Sequence, residues 1–436
     1  MRDLQVWKQR REELMREAQQ GRLAKALRES CKGRRVGLAA VALLLFGTLG
    51  ISTAFGMLLL LPLYVQELGG NEANFGAVLS AATVTAVACI GFLIRNPEAI
   101  RPHAVVAIAI AIYALGAAGA AVVTETWTPL IGVGVLLGTA WAVVYTAAPM
   151  VVSEMVTDEG RAAYFGYLTG TQQLGIGVGP VIARLLVETD LGFRGMFDAA
   201  SGLCAIAVAL TGAVGVLTPD ARIKPAEADG TTAVPFGLAI RRILRSEAIF
   251  LFVMILLFAC LFTSMTSFQT TFAGAQSLDY SVYYETYTAA VIYSRFVLAG
   301  VASRFNAWLV IAAAVSVMVL AVASFLFVGS SPLVYGAASG ALGLGYGLAL
   351  TTVQAHAVNV SEETVRSRIL PIAGLVFQAA ILGFPLIAGW IIVGFGYQAL
   401  FAVLLSFVLA QAAIGWWRFA ASRTIARKEL RSRSRS

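Results

Sequence analysis

Long apolar runs, each about the length needed to cross a bilayer, dominate this sequence and constrain its fold most. A spanning helix needs about 20 mostly apolar residues, and twelve such runs follow one another along the chain. They cover residues 37–64, 74–94, 104–124, 129–151, 162–186, 196–217, 248–272, 285–303, 307–328, 332–356, 368–393 and 397–418. With 58% hydrophobic and 13% charged residues, the chain has more apolar surface than a water-soluble fold buries. The sequence therefore predicts an all-α polytopic membrane protein with 12 transmembrane helices.

The basic residues are distributed unevenly between the two sides of these predicted spans. When the N-terminus is placed in the cytoplasm, all Lys and Arg residues except Arg184, Arg194 and Arg295 fall in segments that face the cytoplasm. The positive-inside rule requires this bias, so we expect both termini on the cytoplasmic side of a prokaryote-like inner membrane. Topology and anionic lipid headgroups also account for the net charge of +8, so nucleic acid is not an expected partner.

The two halves of the chain repeat each other at an offset of about 205 residues. Gln173 corresponds to Gln378, and Pro180 corresponds to Pro385. Internal repeats of this kind indicate duplicated structural units. The predicted units are a basic cytoplasmic helix over residues 1–36, a six-helix bundle over 37–217, a cytoplasmic linker over 218–247, a second six-helix bundle over 248–418 and a basic cytoplasmic tail over 419–436.

Two parallel six-span repeats joined by a cytoplasmic linker resemble the major facilitator superfamily, and the resemblance covers the chain after residue 36. Its most specific part is span 5, where a Gly-rich stretch ending in Gly179-Pro180 is similar to a motif of exporters in that superfamily. The first loop, from Leu61 to Gly70, is similar to that of drug and metabolite efflux members. The resemblance implies that substrate binds between the two halves near the bilayer midplane, with spans 1, 4, 7 and 10 lining the path.

The sequence departs from this family pattern where proton coupling would be expected. The loop after span 2 keeps Gly91 and Arg95 but has no Asp, and Ser303 stands where the second copy would have Asp. Span 4 lacks the Arg common in proton-coupled efflux members, and no Asp or Glu lies in the middle of spans 1, 4, 7 or 10. Facilitated transport and coupling through a carboxylate at the rim are both compatible with this pattern.

Polar and aromatic side chains within the spans are the candidate substrate-binding residues. They are Arg295, Trp141, Tyr145, Tyr346, Gln173, Gln378, Gln269 and Ser52. A charge at the centre of a span costs about 2.5–3.5 kcal/mol on the insertion scale, so Arg295 either attracts a carboxylate or phosphate of the substrate or caps backbone carbonyls of span 8. The three aromatic residues form a wall for an organic substrate or pack in the core. The paired glutamines bind substrate or form hydrogen bonds between helices.

A second candidate set lies near the cytoplasmic ends of the spans and in span 5, and is expected to control gating. It comprises Arg95, Glu154, Arg161, Arg304, Glu362, Arg366, Gly179 and Pro180. The stretch from Glu154 through Arg161 is similar to the loop 4–5 signature of the superfamily. The charged members would form networks that open and close, or solvated surface pairs worth under about 1 kcal/mol each. The Gly-Pro pair would let span 5 bend and pack closely.

No phosphate loop, nucleophile elbow, metal-ligand cluster or pair of catalytic carboxylates is recognisable, so neither an enzyme nor a cofactor is predicted. We expect a secondary active or facilitative transporter that moves a small organic molecule by alternating access, in the direction of export. One alternative is an importer of an anionic metabolite, with Arg295 as its anchor. Another is a transporter-like sensor or assembly protein that uses the N-terminal helix. The expected partners are the substrate, membrane lipids and a coupling ion such as the proton, with the protein as a monomer.

Overall fold

The computed structural model describes residues 38–96, 101–155, 158–218, 236–302, 304–360 and 363–433. These residues form helices joined by short turns and contain no strand. The predicted all-α membrane fold is therefore confirmed. The predicted basic helix over residues 1–36 lies outside the described residues.

Six long helices make up the N-terminal half of the bundle. They are α1 (Leu38–Glu67), α2 (Glu72–Arg95), α3 (Pro102–Ala121), α4 (Leu130–Met155), α5 (Asp158–Val187) and α6 (Gly192–Leu217). Their boundaries follow local sequence signals. Pro102 stands at the first position of α3, where its missing N–H leaves no hydrogen bond unmade, and Asn71 begins α2 with a capping box to Asn74.

The C-terminal half begins with a short helix and continues with long ones. They are α7 (Phe236–Arg245), α8 (Ala248–Ser267, extended after Phe268 by Gln269–Ala275), α9 (Tyr280–Tyr293, then a π-helical segment Ser294–Leu298 and Ala299–Ala302), α10 (Ala307–Phe325), α11 (Pro332–Asn359) and α12 (Glu363–Arg433). Helix α7 lies in the segment predicted as a linker. Helix α12 is broken at Gly396, whose φ of 84° and ψ of 171° are not helical.

Within the described residues, nine helices are long and apolar enough to cross a membrane. Helices α5 and α9 are not among them, because Gly and polar residues lower the apolar character of α5 and Arg295 and several tyrosines do so in α9. The ninth candidate, Arg368–Thr424, has 57 residues, about 85 Å if straight, far more than the hydrocarbon thickness of about 30 Å. Because Gly396 divides this helix, its two parts can each form one span. The total of twelve spans stays a prediction.

Contacts between helices repeat from one half to the other. In the first half, Gly134 of α4 lies against the backbone carbonyl of Val78 in α2, and in the second half Gly343 of α11 lies against that of Tyr287 in α9. Gly343 follows Gly134 by the same number of residues by which Tyr287 follows Val78. At both contacts a Cβ atom would collide with backbone, so glycine is what allows these helices to approach.

The two faces of the helical layer carry different charged clusters. On one face, Arg418 of α12 forms an ion pair with Glu247 before α8, and its guanidinium lies 5.4 Å from the ring centroid of Trp308 at the start of α10. We call this face the Arg418 side. On the opposite face, Arg184 near the end of α5 forms an ion pair with Asp279 before α9, and we call it the Asp279 side.

The surface between these two faces is apolar, as a lipid-facing surface must be. Ile108 of α3, Ile206 of α6 and Leu320 of α10, all inside their helices, are 61%, 60% and 70% exposed. Exposed apolar residues scattered singly are normal in soluble proteins, whereas a broad apolar belt marks contact with a membrane.

Close packing between α1 and α5 gives a first testable prediction. An added Cβ at Gly179 would lie 2.5 Å from the Cα of Gly56, and backbone on both sides leaves little room to relax. We expect Gly179→Ala to destabilise the protein by roughly 1–3 kcal/mol, as overpacking does elsewhere. The melting temperature of purified protein measures this. Gly91→Ala in α2 is the control, because a Cβ there meets nothing within 4 Å; equal melting temperatures for the two variants would contradict the prediction.

Candidate functional site

Side chains from six helices line a cavity between the two halves, and four of these helices contribute polar ones. We call it the polar cavity, and it encloses about 620 Å³, part of which is open to solvent. Its lining consists of Trp141, Tyr145, Thr169, Gln172, Gln173, Ile176, Phe262, Arg295, Tyr346, Leu350, Thr351, Gln354, Phe377 and Ile381.

Five residues predicted to bind substrate lie together in this lining: Trp141, Tyr145, Gln173, Arg295 and Tyr346. The lining also contains six residues that were not predicted to bind substrate: Gln172, Gln354, Thr169, Thr351, Phe262 and Phe377. Helical spacing offers a signal for two of them. Thr169 precedes Gln173 by one turn, and Gln354 follows Tyr346 by about two turns, which places each on the same helix face as the predicted residue.

Three other predicted residues do not line the polar cavity. Gln269 accepts a hydrogen bond from the Tyr335 hydroxyl at 2.9 Å. Ser52 is fully buried where α1 meets α5, so closely that a Cβ on Gly175 would lie 2.7 Å from the Cβ of Ser52. Gln378 is buried next to the cavity residue Phe377, and neither atom of its amide has a hydrogen-bond partner among the described residues.

Arg295 brings a positive charge to the polar cavity that no carboxylate in its lining neutralises. Arg295 lies in the π-helical segment of α9, and π segments inside α-helices often occur at functional sites. Its Nε is buried and has no hydrogen-bond partner within the described part of the chain. None of the lining residues, all of them described, is Asp or Glu. A charged donor in this state is stabilised when an anion binds beside it.

Two glutamine amides add unused donors to the same cavity. Gln172 and Gln173 of α5 are each 5% exposed, and the Nε2 of each is buried without a hydrogen-bond partner among the described residues. Buried polar groups are normally paired. Two unpaired amide donors, together with the unpaired Nε of Arg295, therefore form a set that an oxyanion could satisfy.

Aromatic rings from both halves bound the polar cavity. Tyr145 of α4 stacks on Phe377 of α12 with ring centroids 6.1 Å apart, and Phe262 of α8 stacks on Tyr346 of α11 at 5.4 Å. Trp141 stacks on Phe55 of α1 at 4.0 Å. The cavity thus combines donors for an anion with flat apolar surfaces for an organic group.

A second cavity, which we call the apolar cavity, lies toward the Asp279 side and shares Trp141, Phe262 and Ile381 with the first. It also encloses about 620 Å³, part of it open to solvent. Its other lining residues are Phe55, Leu58, Leu59, Leu61, Phe75, Val78, Leu79, Tyr113, Gly134, Leu137, Gly138, Thr263, Thr266, Ser267 and Leu382. The shared residues therefore stand between two cavities of opposite character.

Contacts between the two halves tie the bundle together on the Asp279 side. Arg184 donates hydrogen bonds to Asp279 and, at 3.2 Å, to the Ser281 hydroxyl. Phe75 of α2 meets Phe268 edge to face at 5.5 Å. These contacts connect α5 to the start of α9 and α2 to the end of α8, so they join the two halves on this side of the bundle.

Only part of the predicted gating set can be placed. Gly179 packs against α1 as described above, and Pro180 is buried beside it. Arg95 ends α2 and Arg304 precedes α10, and both are exposed. Glu362 and the side chains of Glu154, Arg161 and Arg366 lie outside the described part of the structure. The predicted charge networks therefore remain a prediction.

Comparison with protein families agrees with this architecture. The model of the Major Facilitator Superfamily matches residues 41–383, which is most of the chain, so the protein belongs to that superfamily. Its members are transporters rather than enzymes, and they bind small-molecule substrates within the membrane. No curated protein matches the sequence.

Solved structures of transporters share the fold at low sequence identity. The chain is similar to the human organic anion transporter MFSD10 (TETRAN), with 14% identity, a TM-score of 0.62, and coverage of 87% of this chain and 99% of that one. A bacterial homologue of the human lysosomal transporter Spinster, in an inward-facing and unoccupied conformation, matches with 14% identity, a TM-score of 0.65, and coverage of 91% and 98%. The nucleoside transporter NupG matches with 16% identity, a TM-score of 0.66, and coverage of 88% and 99%.

The ion pair on the Asp279 side gives a pH-dependent prediction. Burial tends to raise the pKa of the Asp279 carboxyl, but hydrogen bonds from the Ser281 backbone N–H and Arg184 outweigh this and hold the pKa below its usual value. A carboxyl with a lowered pKa stabilises the folded state above its unfolded pKa, about 3.9. That stabilisation is lost as the pH falls through the folded pKa. Because Arg184 and Asp279 are 37% and 43% exposed, we expect under about 1 kcal/mol.

We therefore expect Asp279→Asn to lower the melting temperature near neutral pH. The difference in melting temperature between this variant and wild type should become smaller below about pH 4. Asn keeps the helix cap at the start of α9 and removes only the charge. Glu188→Gln is the matched control, because Glu188, just after the end of α5, pairs with the same Arg184 at 2.8 Å but only four residues away in the chain. If the difference in melting temperature between Asp279→Asn and wild type increases toward low pH, the ion pair is not the cause of that difference.

Proposed function

We propose that this protein is a 12-span secondary active or facilitative transporter that moves a small organic molecule by alternating access. The substrate binds in the polar cavity and carries a negative charge. The unpaired guanidinium Nε of Arg295, in a lining without carboxylates, is the observation that carries this proposal. An organic anion transporter is among the solved structures with this fold, but that likeness concerns the fold alone, and the charge of the substrate is argued from Arg295.

In this proposal the two sides of the bundle are the two sides of the membrane. The chain ends and the Arg418 side face the cytoplasm, in accordance with the basic residues of the loops, and the Asp279 side faces outward. The polar cavity lies toward the Arg418 side, since Arg295 and Gln354 stand in the halves of α9 and α11 that end there. The contacts on the Asp279 side support a state that is closed toward the outside. Transport then involves a rocking movement of the two halves about the polar cavity.

The direction of transport that we propose is export from the cytoplasm across the inner membrane. It is supported by the similarity of α5, with its Gly-rich stretch ending in Gly179-Pro180, to the motif of exporters. Import of an anionic metabolite is the second candidate, and the positive charge of Arg295 favours it equally. Uptake by vesicles of defined orientation, with and without a pH gradient, distinguishes the two directions and measures any coupling to protons.

Replacing Arg295 gives the main test. We expect Arg295→Ala to abolish stabilisation by organic anions and to reduce their transport at least tenfold, since hydrogen bonds to a charged group contribute about 1.5–3 kcal/mol. A thermal-shift screen of purified protein against organic acids, sugars, amino acids and amphipathic cations measures binding, because a ligand of the folded state raises the melting temperature. Proteoliposome uptake measures transport.

Arg194→Ala and Arg295→Lys are the controls for this test. Arg194 is exposed near the start of α6, so its removal changes the net charge equally without touching the polar cavity. Arg295→Lys keeps the charge and loses the planar pair of donors, and we expect partial recovery of anion binding. If lipophilic compounds without charge stabilise wild type and Arg295→Ala equally, the substrate is not an anion and Arg295 has a structural role.

The alternative of a sensor or assembly protein has its own test. If the protein is a transporter, removal of residues 2–30 should leave substrate uptake in proteoliposomes within about twofold of the full chain, because the cavity is built from residues of α4 onward. A sensor that uses the basic N-terminal helix would lose its function after the same deletion. The full chain, reconstituted in parallel at the same density, is the control.

A further inference from the structure

We propose that the transported anion is amphipathic, with its charged group at Arg295 and its apolar part extending past Trp141, Phe262 and Ile381 into the apolar cavity. This inference rests on the proposed function and specifies its substrate class. It predicts a monoanion with an alkyl or aryl portion, not a hydrophilic molecule with several charges.

The polar cavity and the apolar cavity lie next to each other. Trp141, Phe262 and Ile381 belong to the lining of both. They come from α4, α8 and α12, so both halves of the bundle contribute to the boundary. A ligand that touches these three side chains from the polar cavity is therefore separated from the apolar cavity by one layer of side chains at most.

Two of the hydroxyls that line the apolar cavity already donate hydrogen bonds within the protein. The Thr263 hydroxyl donates to the backbone carbonyl of Ile381 at 2.8 Å, and the Thr266 hydroxyl donates to that of Phe262 at 2.7 Å. Because both hydroxyl hydrogens are already donated, these two threonine side chains offer no hydrogen-bond donor to a ligand in the apolar cavity. A hydrophilic group placed there would lose its hydrogen bonds to water without replacement, whereas an apolar group would gain by leaving water.

The unpaired hydrogen-bond donors are distributed unevenly between the two cavities. The guanidinium of Arg295 and the unpaired amides of Gln172 and Gln173 all lie in the polar cavity and not in the apolar one. Charge recognition is thus confined to one end of the combined space. A ligand that satisfies both ends has one anionic group and one apolar group.

The experiment uses the full chain in lipid nanodiscs and a series of ω-phenylalkanoates from benzoate to 8-phenyloctanoate, with the corresponding phenylalkanols as uncharged probes. Dissociation constants come from calorimetric titration. For wild type we expect each added methylene to tighten binding by up to about fourfold, the ratio that corresponds to burial of one methylene, until the apolar cavity is full. The alkanols should bind at least tenfold more weakly than the acids of equal length.

Two variants fill the apolar cavity and one matched variant does not. Leu137→Phe on α4 and Leu79→Phe on α2 each enlarge a lining side chain, and either should abolish the gain for the longer acids while benzoate binds as in wild type. Leu136→Phe is the control, since Leu136 neighbours Leu137 on α4 but is 41% exposed and absent from both linings. It also corrects for partition of the longer probes into lipid.

The possible results separate the two proposals. A gain with chain length that both cavity-filling variants abolish supports the amphipathic substrate. Binding that depends on Arg295 but not on chain length, or a gain unchanged in both variants, overturns this inference and leaves the proposed function in place. If acids and alkanols bind alike and Arg295→Ala changes neither, the anion site itself is wrong and both proposals fail.

Discussion

The absence of water inside a bilayer is the constraint on which the rest of this structure depends. Every backbone polar group in the apolar layer must find its partner within the protein, and helices achieve this segment by segment. Because lipid is as apolar as the side chains, the helices associate through close packing rather than through the hydrophobic effect. This explains why glycines occupy the tightest contacts, such as Gly134 against Val78 and Gly179 against Gly56.

The same low-dielectric surroundings give Arg295 its importance. A guanidinium in water is well solvated, but inside the bundle its Nε has no partner among the described residues and no carboxylate lines the cavity around it. Such a charge is retained at a cost in stability, which an anionic substrate would offset each time it binds. The aromatic pairs Tyr145–Phe377 and Phe262–Tyr346 keep the surroundings apolar, so the attraction is screened less than at a surface.

Apolar runs and turn residues were sufficient to predict the helical membrane fold, because helix length and hydropathy are properties of single segments. Trp141 and Tyr346 lie on spans 4 and 10, which the family resemblance expects to line the path, whereas Arg295 lies on span 8 and was singled out by its charge. One cavity contains all three. Ser52 and Gln269 show the limit of that reasoning. Whether a buried hydroxyl or amide faces a cavity or a neighbouring helix depends on helix rotation, and the tight contact of Ser52 with α5 or the hydrogen bond from Tyr335 to Gln269 is not visible in one sequence.

The two cavities also constrain how alternating access would work here. Since both are bounded by Trp141, Phe262 and Ile381, a shift of α4 against α8 and α12 changes both at once. Widening on the Asp279 side would require the Arg184–Asp279 ion pair to break. An amphipathic anion that extends past Trp141, Phe262 and Ile381 would contact both halves of the bundle. Its binding would therefore affect the relative movement of the two halves.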